Sequence, residues 1–120
     1  MSLDYGNTVL LAQGRATPTP AAGTQQLFGF KNYSGLILSI DCIVVAQGAQ
    51  ALSAVKIQTS ASADLAEIVI GAAAIGTMFE DKVADADVVR AAATYYKVVA
   101  VTIDATLVYD WRVYGSAPFA

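Results

Sequence analysis

Four acids fall within eight residues in Glu80-Asp81-Lys82-Val83-Ala84-Asp85-Ala86-Asp87, and closely spaced carboxylates are what calcium takes as ligands. Aligned on a calcium loop starting at Asp81, the third position is Val83, the sixth is Ala86 where glycine is required, and the twelfth is Ala92 where a bidentate glutamate is required. The run therefore reads as a solvated turn that keeps a sheet edge soluble. A glycosidase needs two carboxyl groups held about 5 to 9 Å apart, and nothing in the spacing of the ten acids singles out a pair. With no histidine in the chain, a serine or threonine nucleophile would need a lysine or an N-terminal amine as its base, and no such pair stands at useful spacing. Gly71-Ala72-Ala73-Ala74-Ile75-Gly76 lacks the Lys-Ser/Thr ending of a phosphate-binding loop. The expectation is a protein that is not an enzyme, with no catalytic residue, no cofactor and no metal; a small hydrolase would need two buried carboxylates in a cleft.

The remaining reactive or sticky side chains have quieter readings. Cys42 is the only cysteine and lies within the apolar stretch from Leu36 to Val45, so it reads as a small buried hydrophobe. Tyr95, Tyr96, Tyr109, Trp111 and Tyr114 could stack on a sugar, but Trp111 shares a face with Leu107 and Val113, which favours cross-strand packing with the hydroxyls at the rim. The seven basic residues are scattered and the net charge is −3, so no positive stripe for nucleic acid is expected. The start Met1-Ser2-Leu3-Asp4 has an acid where a signal peptide is basic, and no apolar run approaches the ~18 residues of a membrane span. No membrane partner and no secretion are expected.

The elements that hold these residues read as strands. Length allows one domain. Residues 1–25, with Gly14, Pro18, Pro20 and Gly23, read as an extended N-terminal arm, in which Thr8 to Ala12 pairs with a sheet edge or anchors a neighbour. Residues 26–120 read as a β-sandwich domain of seven or eight strands. Leu36, Leu38, Ile40, Cys42 and Val44 share one face of a strand, and Leu107, Tyr109, Trp111 and Val113 share one face of another. Residues 55–59 and 67–70 are two more, with a loop at 60–64. Residues 94–103 and 107–114, split by Asp104-Ala105-Thr106, look like a hairpin. Residues 71–86 read as a long loop. The fold class is all-β, a single-domain jelly-roll-like sandwich with an N-terminal arm.

Apolar residues make up 56% of the chain and charged residues 14%, against about 25% charged in ordinary domains. A domain this small hides only about two thirds of its surface, so apolar side chains must remain outside, where contiguous patches mark interfaces. Tyr5, Leu10, Leu11, Tyr33, Met78, Phe79 and Phe119 are the candidate contact residues, being those the core needs least.

The start Met1-Ser2-Leu3-Asp4, the strand Lys56-Ile57-Gln58-Thr59-Ser60 running into an Asp-containing loop, and the closing strand Tyr95-Tyr96-Lys97-Val98-Val99 resemble the jelly-roll capsid cement, or decoration, proteins of tailed bacteriophages. The resemblance implies a non-catalytic virion protein, made in the host cytoplasm, that binds the outer capsid surface and bridges subunits of the major capsid protein, often as a homo-oligomer. The alternative is a non-enzymatic binding module, such as a phage tail or fibre receptor binder or a carbohydrate-binding sandwich.

Overall fold

The computed structural model describes residues 8–16, 23–32, 36–47, 53–70, 73–83, 94–102 and 107–116. These contain eight strands: β1 Thr8–Ala16, β2 Gly23–Asn32, β3 Ile37–Ala46, β4 Ser53–Thr59, β5 Asp64–Ile70, β6 Met78–Lys82, β7 Thr94–Thr102 and β8 Val108–Ser116. Period-two alternation turns directly into burial. In β3, Leu38, Ile40, Cys42 and Val44 are buried while Ser39, Asp41 and Ile43 are only partly covered; in β8, Tyr109, Trp111, Val113 and Gly115 alternate the same way. Each strand can satisfy one apolar face only by laying it on a second sheet.

Pairing follows a nested plan. β1 pairs with β8, β2 with β7, β3 with β6 and β4 with β5, all antiparallel, as if the chain were doubled into one long ribbon. Two further antiparallel pairs, β3 with β8 and β4 with β7, wrap that ribbon into two sheets ordered β1-β8-β3-β6 and β2-β7-β4-β5. This is the double-sheet jelly roll, and the all-β sandwich expected from periodicity is the fold observed. The core between the sheets is filled by Leu38, Ile40, Val55, Ile57, Ile68, Ile70, Tyr96, Val98, Trp111 and Val113, among others.

Several local expectations are corrected. Residues 94–102 and 108–116 do not form a hairpin: β7 belongs to one sheet and β8 to the other. Both strands are central, and each needs two neighbours of its own. The hairpin is instead β4–β5, whose turn is closed by bonds from the Thr59 N–H to the Ala63 carbonyl (3.0 Å) and from the Ser62 N–H to the Thr59 carbonyl (2.9 Å), with Ser62 at φ 72°. β5 begins at Asp64, earlier than Glu67. The stretch 71–86 contains a strand, β6, which is five residues long and pairs only with β3.

Residues 8–16 are an edge strand along β8, not a free arm, and the expected division after residue 25 falls inside β2. Gly14 and Arg15, which suggested a loop, are accommodated by β8. A Cβ on Gly14 would sit 3.0 Å from Cζ2 of Trp111, so glycine gives the indole close approach to the strand, and Arg15 pairs with Asp110. Residues 1–7 and 17–22 lie outside the described residues. Asn32 donates to the Leu36 carbonyl (2.8 Å) and accepts from the Leu36 N–H (2.9 Å), pinning the end of β2 to the start of β3.

Candidate functional site

The outer face of the β1-β8-β3-β6 sheet is a ladder of polar pairs. Arg15 donates two hydrogen bonds to Asp110, at 2.7 and 3.1 Å, and Arg112 donates one to Asp41 at 3.0 Å while lying 5.9 Å from the ring centre of Tyr114. The bonds from Arg15 hold the Asp110 carboxyl below the usual carboxylate range. On the other sheet, Lys56 bridges Asp64 (3.0 Å) and Glu67 (3.2 Å), and Asp64 also accepts from Gln58 at 2.6 Å. Gln58 and then Lys56 lower the Asp64 pKa. These charges pair with one another across strands, as cross-strand partners on a sheet surface do.

A shallow depression of about 520 Å³ lies on the first sheet, with Asp41, Glu80, Asp81 and Tyr114 in its wall. Its acids do not converge: Asp41 holds Arg112, and Asp81 accepts from the backbone N–H of Glu67 (2.9 Å) and of Lys82 (2.8 Å). Asp81 thereby ties the edge of one sheet to the edge of the other. Among the described residues, no three potential metal ligands come together; Asp85 and Asp87 lie outside them.

Cys42 is buried mid-strand, and burial, with the nearby Asp41 charge, pushes its thiol up to about 12, so it stays protonated and unreactive. Tyr109, Tyr96 and Trp111 are core residues. The hydroxyls of Tyr96 and Tyr109 are buried without a hydrogen-bond partner, contrary to the rim position expected for them. Tyr95 is exposed and Tyr114 partly so, and the two sit on different sheets, so they do not share one flat face.

Among the described residues, the exposed large apolar side chains divide between the two edges of the sandwich, apart from Tyr95 on the central strand β7. At the β1/β2 edge Val9, Leu10 and Phe28 are exposed; at the β5/β6 edge Val69, Ile75 and Met78 are, the last two at 66% and 61%. Ile75 stands at the corner of a tight turn in which the Thr77 N–H bonds to the Ala74 carbonyl (3.0 Å) and Gly76 has φ 88°. The turn is fastened to β3 by the Gly76 N–H on the Val44 carbonyl (2.8 Å) and the Val44 N–H on the Thr77 carbonyl (3.0 Å). A turn corner normally carries a polar residue or glycine; here a rigid one presents isoleucine.

Of the expected contact residues, Leu10 and Met78 are exposed, on opposite edges. Leu11 and Phe79 pack against the core. Leu11 is the extra residue of a bulge between Leu10 and Ala12, which turns it inward, and Phe79 alternates inward from Met78. Tyr5, Tyr33 and Phe119 lie outside the described residues. Val9, Phe28, Val69 and Ile75 were missed; the Ile-Gly pair ahead of Met78 was the available signal for one of them.

No family model matches the chain, and no curated protein does. Its fold does recur in solved structures. A chain in the capsid of Ralstonia phage GP4 superposes with a TM-score of 0.61 at 9% identity, covering 96% of this chain and 87% of that one. A chain in the acid-stable capsid of Helicobacter pylori bacteriophage KHP30 gives 0.57 at 14% identity, covering 93% and 89%. A chain from Bacillus endospore appendages, described as disulfide-linked pili, gives 0.53 at 12% identity, covering 93% and 90%. At these identities the likeness is one of fold.

Proposed function

We propose that this protein is a non-enzymatic phage virion protein that binds the outer capsid surface and cements neighbouring subunits of the major capsid protein. The observation that carries the proposal is that six of the seven exposed large apolar side chains among the described residues stand at two opposite edges of one small sandwich, because a bridge needs two adhesive ends. The setting supports it: in two phage capsid structures a chain of this fold is nearly coextensive with this one. The mechanism is burial of apolar area across a seam, with many weak contacts multiplied over a repeating lattice. The rigid Ile75 corner and Met78 are suited to a pocket on the capsid, since pre-ordered apolar anchors lose little entropy on docking.

The test is co-sedimentation with capsids stripped of their own cement, comparing wild type with Ile75→Lys/Met78→Lys. Both positions are exposed, so the fold should survive. Saturable binding by wild type and its loss in the double variant is the expected result; no binding by wild type removes the proposal.

The appendage likeness favours a second reading, a subunit of a fibre. Cys42 separates the two: it is the only cysteine and is buried in β3, so a disulfide link between subunits would require opening the core.

A further inference from the structure

The two edges of the sandwich are built differently. On the β5/β6 side, β6 spans five residues and carries Glu80, Asp81 and Lys82, β5 carries Asp64 and Glu67, and the Asp81 carboxylate occupies the Glu67 N–H. Short strands and charges are how natural sheets block addition of a further strand. On the β1/β2 side, β1 runs for nine residues with no proline and is regular from Ala12 to Ala16 beyond its bulge at Leu11, and among the described residues nothing pairs with its outer side. Its one charge, Arg15, is already neutralised by Asp110. Val9 and Leu10 are exposed along it, and Phe28 is exposed on the adjacent β2.

We infer that the β1 edge pairs antiparallel with the β1 edge of a second copy of this chain, giving a two-fold dimer with one continuous eight-stranded sheet. Electrostatics permits this contact and opposes the alternative like pairing. With the axis at Gln13, in the regular stretch that follows the Leu11 bulge, the two Arg15 residues lie about 13 Å apart at ~3.3 Å per residue, beyond the ~8 Å screening length. Two β5/β6 edges would oppose surfaces that each keep a net negative charge, four acids against Lys56 and Lys82. The area reaches the lower end of the range for stable interfaces, about 1,200 Å² over both partners. A nine-residue strand is about 30 Å long and the molecule is 20 Å through its short axis, so the edge presents roughly 600 Å² in projection, against ~800 Å² of accessible surface per partner in a stable interface. A two-fold contact of this kind is self-complementary and closes on itself. It commits the β1/β2 edge to the second copy, so that the two adhesive ends of the bridge become the Ile75 and Met78 corners at the far ends of the dimer. The inference rests on the reading of two distinct edges but not on the identity of the capsid as partner.

The experiment is sedimentation velocity over a concentration series from low to high micromolar, with wild type, Leu10→Lys and, as a control on the other edge, Val69→Lys. The expected result is a monomer–dimer equilibrium for wild type and Val69→Lys, and a dimer dissociation constant raised about tenfold or more in Leu10→Lys, equivalent to ~1.4 kcal/mol. A wild type that stays monomeric, a Leu10→Lys variant that dimerises as tightly as wild type, or open-ended polymers would each overturn it. Hydrogen exchange of the unmodified protein gives a second reading free of any folding defect: amides of β1 should become protected as concentration rises, and their indifference to concentration would also overturn the inference. Binding to stripped capsids is scored separately, so an intact dimer that ignores capsids defeats only the cement reading.

Discussion

Leu38 and Leu10 are the same residue type on strands of the same sheet, yet one is 0% and the other 48% exposed. Truncating each to alanine should therefore have very different consequences. Leu38→Ala removes three buried carbons from a sealed core and leaves a cavity, which costs about 2.7 to 5 kcal/mol. Leu10→Ala removes carbons that already face water, so its cost should stay within about 0.5 kcal/mol. Net stability of a domain this size is about 5 to 15 kcal/mol, so the first change takes a large share of it. At roughly 4 °C per kcal/mol, Leu38→Ala should melt about 10 to 20 °C below wild type and Leu10→Ala within about 2 °C. Thermal unfolding followed by far-ultraviolet circular dichroism, in protein dilute enough to exclude association, is the assay. A loss for Leu10→Ala equal to or greater than that for Leu38→Ala would refute both the register of β1 and the assignment of Leu10 to an outer surface.

Four further outcomes follow from the same geometry. Gly115→Ala should lower stability by about 1 to 3 kcal/mol, because the new Cβ would lie 2.6 Å from Leu36 Cδ1 and 2.9 Å from Leu36 Cβ; an unchanged denaturant midpoint would contradict the packing of β8 on that side. Since the Cys42 thiol is raised to about 12, its protonated form is held by the native state, and stability should be intact below the unfolded value near 8.5 and fall by up to about 1.4 kcal/mol per pH unit above it. Cys42→Ser should flatten the lower part of that alkaline slope; Tyr109, also raised by burial, acts only at higher pH. In acid the sign reverses: Asp64 and Asp110 are lowered by their partners, so their contribution is present above about pH 4 and fades below it, modestly because both are near the surface, and urea titrations at pH 3 and 6 measure it. Finally, EDTA should leave the melting temperature unchanged, and a fall reversed by calcium would establish a site at Glu80 to Asp87.

How much of this was legible in the residues depends on what each strand faces. β3 and β8 bury every second side chain against the opposite sheet, so their alternation is plain. β6 was hidden because five residues at an edge, Met78 to Lys82, have charge on both faces and little apolar period. The false hairpin arose because a three-residue polar break, Asp104-Ala105-Thr106, looks the same whether the chain turns back within a sheet or crosses to the other; only the partners of β7 and β8 decide that. At the surface, the apolar excess correctly implied exposed hydrophobics and placed Leu10 and Met78 among them. It could not separate Leu10 from Leu11, because a bulge shifts the alternation by one residue. Ile75 escaped notice since its exposure is created by a turn whose hydrogen bonds reach to Val44, over thirty residues away in sequence.

The most direct test of the cement role is to image it. Stripped capsids saturated with the protein and reconstructed by electron cryomicroscopy should carry sandwich-shaped density on the outer surface at seams between subunits, with the Ile75 and Met78 corner against the capsid. Capsids that remain bare, or density that touches a single subunit and spans no seam, would contradict it.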